Sequence, residues 1–458
     1  MRPDFFRTVA TIALASGLAG CVPGIPAPPA TSAVAPPENW RTAFSDGATV
    51  DGEWWQAFGD PQLAALVDLA RTRNSDIGIA IARVQEARAQ ERASRALLLP
   101  SLNASAPASH GRSLTALGTV VETTVAQPQF QASYELDLFG RNRAQIDAAA
   151  SATRASDAAR QATILSVSAA TATGYVTLLA LDERLHVLRG TLTSREAALR
   201  IARSRAEAGY TSDLELRQAE AEYRATQQQI PVVESAIARQ ENALSLLTAS
   251  TPQAIARDGR FAALRSPVVP AVVPSELTRR RPDIVQAEYA LAATDARLRS
   301  AQRQFLPQIQ LSATVGEIIG SSLPDNVDVW SVGGSVLAPI FAGGRLRGQF
   351  DAAAAQRDQA AFGYQRAVLG AFREVEDQLA VIARLDDQEE ALSAQRVAVA
   401  DSLRHATNRY RAGYSTYLEQ VDAQRALLSV DLSLIQLRSD RLTAMIALYQ
   451  AVGGSPQP

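Results

Sequence analysis

The chain has 458 residues and a formal net charge of -2, so no strong basic field points to nucleic acid. All 45 basic residues are arginine, and His110, His186, His405 and Cys21 are the only histidines and cysteine; this leaves no lysine for a phosphate-cradling loop or a Schiff base, and too few ligands for a Cys/His metal cluster. A G-x-S-x-G elbow is also missing, and although 47 acids are present, most fall on helical patterns where a solvated face is the ordinary reading.

The N-terminus reads as a processing signal over residues 1–20. Arg2 and Arg7 are basic, and Val9 to Leu18 is apolar but too short to span a bilayer as a permanent helix. It ends in Leu18-Ala19-Gly20-Cys21, which resembles a bacterial lipoprotein signal cut before Cys21. The expected modification is a diacylglycerol and an N-acyl chain on Cys21, enough acyl chain for stable anchoring. Val22 in place of an acid favours, by the same resemblance, the outer membrane. A plain secretory signal with an incidental cysteine is the alternative. Residues 21–39, with six prolines among Ala, Thr and Ser, read as an extended tether.

The remainder, about 420 residues, is a duplication. Asp76-Ile77 recurs as Asp283-Ile284, and Leu99-Pro100 as Leu306-Pro307. Gly140-Arg141 recurs as Gly344-Arg345, and Ala208-Gly209-Tyr210 as Ala412-Gly413-Tyr414. The first repeat spans 40–250 and the second 251–458. Each reads helix, strand, strand, long helix, turn, helix. Strands are expected at about 100–108 and 127–138, then at about 306–316 and 328–340. Their residues alternate: Phe130, Ala132, Tyr134 and Leu136 between Gln129, Gln131, Ser133 and Glu135; Ile309, Leu311 and Ala313 between Gln308, Gln310 and Ser312. Ten or so residues is the length of a tilted transmembrane strand. A soluble sheet lying on a core would show the same alternation.

The helices argue against that reading. No proline falls between Pro128 and Pro231 or between Pro339 and Pro456. A helix of about 65 residues is on the order of 100 Å long, too long for a compact domain, and packs as a coiled-coil-like rod. Gly209 with Tyr210, and Gly413 with Tyr414, sit where each rod must reverse. The fold class is therefore mainly α with a transmembrane β portion. A bilayer tolerates only closed barrels, and four strands cannot close. Two copies would supply eight strands and three would supply twelve.

Three stretches carry a family resemblance: Trp54-Trp55 with Phe58 and Asp60-Pro61; Arg280-Arg281-Pro282-Asp283-Ile284 leading to Phe305-Leu306-Pro307; and Tyr410-Arg411-Ala412-Gly413-Tyr414 with Asp422-Ala423-Gln424-Arg425. From about Trp40 to Gly454 the chain resembles the TolC-like outer-membrane efflux channels, in particular the NodT/OprM lipoprotein branch. The resemblance implies a homotrimer with a twelve-stranded β-barrel and a periplasmic α-helical barrel, girdled by an equatorial segment that includes residues 251–280. It implies no catalysis and no cofactor, a periplasmic adaptor and an inner-membrane pump as partners, and small-molecule export from a lipid-anchored position in the outer membrane of a Gram-negative bacterium. It also places a periplasmic gate at Leu418, Glu419, Asp422 and Arg425. Spacing alone would make Glu419, Asp422 and Arg425 ordinary solvated charges. Glu419, Asp422 and Arg425 lie three or four residues apart on one helix face, and in a trimer each becomes a ring. Tyr210 and Tyr414 read equally as packing aromatics. Rival readings are a protein-secretion channel of the same fold and a non-channel periplasmic coiled-coil lipoprotein.

Overall fold

A computed structural model describes residues 22–42, 53–114, 116, 118–257, 259–270, 273–321 and 323–454. Cys21 and the signal at 1–20 lie outside the described residues. The described residues form two compact units, each drawing matched segments from both repeats: one holds 82–157 and 286–366 with 22–33, the other 34–42, 53–81, 158–285 and 367–454.

Helices α1 (Pro61–Arg73) and α2 (Ser75–Arg95) start on side-chain caps. Asp60 Oδ1 accepts from the backbone N–H of Gln62 at 2.8 Å, with Pro61 at the first helical position. Asn74 Oδ1 accepts from Asp76 N–H at 2.8 Å. Helix α3 (Arg141–Glu207) has 67 residues and begins where the Asp137 carboxylate accepts from Asn142 and Arg143 N–H at 3.0 and 2.9 Å. Its return limb is split into α4 (Asp213–Gln227) and α5 (Gln229–Leu247). Pro231 explains the split, because it lacks an N–H and its ring collides with the carbonyl four residues back, at Gln227. Helices α6 (Pro274–Arg280) and α7 (Pro282–Arg303) open the second repeat; α8 (Arg345–Arg411) again has 67 residues, and its return limb α9 (Tyr417–Ala451) runs unbroken.

The sheet comprises β1 (Ser101–Ser105), β2 (Ala108–Leu114), β3 (Val120–Ala126), β4 (Gln129–Leu136), β5 (Gln308–Gly320) and β6 (Val327–Leu337). The first repeat's two ribbons are thus longer than its sequence suggests, and each is interrupted. Pro107 and Pro128 cannot donate to a ladder, so pairing breaks there and resumes as the β2–β3 hairpin. Strand β1 pairs antiparallel with β4, β4 with β5, and β5 with β6. Among the described residues β1, β2 and β6 each have one partner, so the sheet ends in open edges along these strands.

Register turns the alternation into two chemically distinct faces. Ala104, Phe130, Val315 and Trp330 form one cross-strand row, and Leu102, Ala132, Ala313 and Val332 another. Between them run Asn103, Gln131, Thr314 and Ser331, then Ser101, Ser133 and Ser312. The polar rows bond across strands: Ser101 to Ser133 and Thr314 to Ser331, hydroxyl to hydroxyl, both at 2.7 Å. The apolar face covers no core, since Trp330 and Val332 are each 77% exposed and Leu102 is 71% exposed. A soluble sheet would bury that face.

The tether has no regular structure over residues 23–29, turns once as a short 3-10 helix at Ala30–Ser32, and is seated. Gln302 Nε2 donates to Pro23 O at 2.8 Å, and the buried Arg357 donates to Pro26 O at 2.9 Å and Ala27 O at 3.2 Å. Trp54 stacks on Tyr449 with 5.6 Å between ring centres, Trp55 meets Trp54 edge-on, and both indoles are buried. Arg281 of the Arg-Arg-Pro-Asp-Ile run donates to Ala451 O at 2.9 Å and pairs with Asp283 and Glu374, tying the end of α9 to α7 and α8.

Candidate functional site

Both hairpin bends use one device. Gly209 and Gly413 take φ of +72° and +80°, the left-handed region glycine tolerates best. Gly209 N–H donates to Ala206 O at 3.0 Å and Tyr210 N–H to Arg205 O at 2.8 Å; Gly413 to Tyr410 O and Tyr414 to Arg409 O repeat the pattern at 3.1 and 2.9 Å. These paired bonds close each long helix as a Schellman cap. Tyr210 and Tyr414 are 85% and 80% exposed, so in the protomer neither packs into its bend.

Just beyond the second bend, the four residues singled out on α9 part company. Leu418 is half exposed. Glu419 turns back to Arg409 on α8 at 3.6 Å, not toward Arg425. Asp422 and Arg425 pair at 3.3 Å, and Arg425 reaches across to α4, where its Nε lies 2.9 Å from Glu222 Oε1. The other oxygen of that carboxylate, Oε2, is 2.8 Å from Arg195 Nη1 of α3. Arg195 also donates to Glu222 O at 2.8 Å and to Thr226 Oγ1 at 2.6 Å. One carboxylate thus sits between two guanidiniums from different hairpins. The Arg195 and Glu222 side chains are 4% and 8% exposed, while Arg425 is 55% exposed.

A second link joins the bends. Tyr410 Oη donates to the Glu215 carboxylate, its ring lies 5.5 Å from that of Tyr417, and the Arg205 guanidinium covers it at 5.2 Å. Burial first, and the Glu215 hydrogen bond second, push the Tyr410 hydroxyl up to about 12. Burial and the negative charge of Glu222 raise Tyr417 as well. Burial pulls Arg195 down against the opposing pull of Glu222, whereas the Glu222 hydrogen bond raises Arg425.

Arg195, Glu222 and Tyr417 were not singled out in the sequence, and Tyr410 stood in a motif stretch with no partner assigned to it. A signal for them exists. Arg195 and Glu222 lie nearly the same number of residues either side of Gly209, as facing residues of an antiparallel hairpin must. Among the described residues, no three His, Cys, Asp or Glu side chains gather as metal ligands.

The model of the outer membrane efflux protein family matches residues 66–250 and 273–454. The chain belongs to the outer membrane efflux protein family. A relative, the pyoverdine export outer membrane protein OpmQ of Pseudomonas aeruginosa, is 34% identical over 462 residues, covering 96% of this chain and 95% of its own length. The outer membrane protein OprJ of the same organism is 33% identical over 477 residues, covering 99% and 96%. Among solved structures, the open state of the MtrE outer membrane channel of Neisseria gonorrhoeae superposes with a TM-score of 0.82 at 29% identity, covering 94% of this chain and 98% of that one. The fold is that of the TolC-like channels, and this family member is an outer-membrane efflux channel. Its two-faced sheet and paired helical hairpins are the parts such a channel needs.

Proposed function

We propose that this protein is the outer-membrane duct of a tripartite efflux system. It passes small molecules outward and is fed by an inner-membrane pump through a periplasmic adaptor. The observation that carries this reading is the sheet, with one exposed apolar face, one polar face and open edges. In a bilayer those edges must be paired, and three copies close a twelve-stranded barrel whose polar rows face a lumen. The acylated Cys21 anchors the protein to the membrane, and the helical hairpins lie in the periplasm. Relatives are named for export of pyoverdine and of toluene, which supports small organic cargo. No cofactor takes part.

Leu418, Asp422, Glu419 and Arg425 form the periplasmic gate near the bend at Gly413 and Tyr414, with its counterpart at Gly209 and Tyr210. Rings of Asp422 and Arg425 hold the closed tip and set its preference for cations. Planar-bilayer recordings of the purified chain test this. Asp422→Ala with Arg425→Ala is expected to raise single-channel conductance. Unchanged conductance in the folded double variant would remove the gate assignment, and a folded protein passing no current at any voltage would remove the duct itself.

A further inference from the structure

We infer that a cavity beside the two buried tryptophans binds a small organic anion, a carboxylate on an apolar body, through Arg71, Arg279 and Arg280. None of these residues belongs to the gate, and the site does not depend on the gate assignment.

The cavity is built from segments of both repeats. Trp54 and Trp55 open a 3-10 helix (Trp54–Phe58) ahead of α1, and Arg279 and Arg280 stand in the last turn of α6. The chain then passes over them once more, after α9. Gly453 takes φ of +90°, and a Cβ there would lie 2.8 Å from Arg280 O, so only glycine lets the backbone run this close. The enclosed volume is about 240 Å³. At ~30 Å³ per water that is room for about eight waters, so the occupant is small.

Its lining selects the ligand. Among the described residues three arginines line the cavity and no acid does. A cleft walled by one sign of charge concentrates the opposite ion. Arg279 has no ion pair among the described residues. Arg71 lies over the Trp55 ring, 4.8 Å from its centre, and its helix neighbour Asp68 is 4.0 Å away. Arg280 alone is closely paired, with Glu276 at 2.9 Å. The planar fork of a guanidinium suits a carboxylate. The opposite wall is apolar, with Ile164, Leu165 and Val285. Trp55 also lines the cavity; it is 2% exposed and its Nε1–H has no hydrogen-bond partner among the described residues. A buried donor left unpaired is costly, and an oxygen of the occupant supplies the acceptor it lacks. Charge on one side and an apolar wall on the other favour an organic acid over an inorganic anion.

Isothermal titration calorimetry of the full chain in neutral detergent, with benzoate as the probe, tests the site. Benzoate should bind saturably, one per chain. Benzamide, its neutral counterpart, and inorganic phosphate, which lacks the apolar body, should each bind at least tenfold more weakly. Arg279→Gln alters an exposed position, so its unfolding midpoint should stay that of the parent chain while benzoate binding weakens about tenfold, the loss of one charge-assisted hydrogen bond. Arg71→Gln should weaken binding similarly. Arg217→Gln, at an exposed arginine outside the cavity, should leave it unchanged. An equal loss in Arg217→Gln would reduce the binding to general charge and overturn the site. Benzamide or phosphate binding as tightly as benzoate would overturn the ligand class. Binding that appears only after deletion of residues 455–458 would make the chain's own tail, which follows Gly454 at the cavity wall, the occupant, and would overturn a free ligand. Saturable binding in neither chain would overturn the site outright.

Discussion

Glu222 and Asp422 are both acids near a hairpin end, yet their surroundings set very different costs for removing them. Glu222→Ala leaves the buried Arg195 without its carboxylate, a loss of about 3 to 5 kcal/mol for a broken buried pair. Asp422→Ala removes one exposed carboxylate from an exposed arginine, worth about 1 kcal/mol or less. Thermal unfolding of the two variants should separate them clearly, and equal midpoints would contradict the assigned burial. Tyr410 yields a pH expectation. Its folded hydroxyl is raised to about 12, chiefly by burial. A proton held more tightly in the folded state gives stability that is complete below the unfolded value near pH 10 and is lost as pH rises toward 12. Tyr410→Phe should flatten alkaline unfolding in that window; an identical alkaline limb would refute the link. The tyrosine, Asp422 and Arg425 all stood within a recognisable motif. Glu222 did not, because a buried ion pair across two helices leaves no local pattern, only the mirrored spacing about Gly209.

At the scale of elements, helix existence was legible from proline-free runs and apolar spacing, and the bends from Gly209 and Gly413. Strand extent was less so. The outer ribbons run on past Pro107 and Pro128 into β2 and β3, where His110, Arg112 and Glu122 break the apolar alternation. The tether was legible as mostly irregular chain, while its seating depends on Arg357, hundreds of residues away, which no local pattern reveals. The cross-strand rows give a direct test. Val332→Arg places a charge on the apolar face and should cost about 2 to 4 kcal/mol near the middle of a bilayer, whereas Ser331→Arg, one residue away on the polar face, should be tolerated. Heat-modifiable gel migration after insertion into lipid vesicles reads the difference. Equal insertion of both variants would mean that the apolar rows do not face lipid.

For the whole molecule, the duplication accounts for a chain with two hairpins and four ribbons, and the open edges at β1, β2 and β6 are what further copies would pair in the proposed barrel. Copy number was not readable from spacing, because eight and twelve strands satisfy closure equally. The trimeric closure proposed above rests on the family resemblance and not on any residue pattern. Native mass spectrometry of the full chain, extracted in detergent, tests that closure most directly. Complexes of three copies are predicted, held together through membrane-inserted sheet. A stable, fully folded single copy, with its strand content intact, would contradict the account.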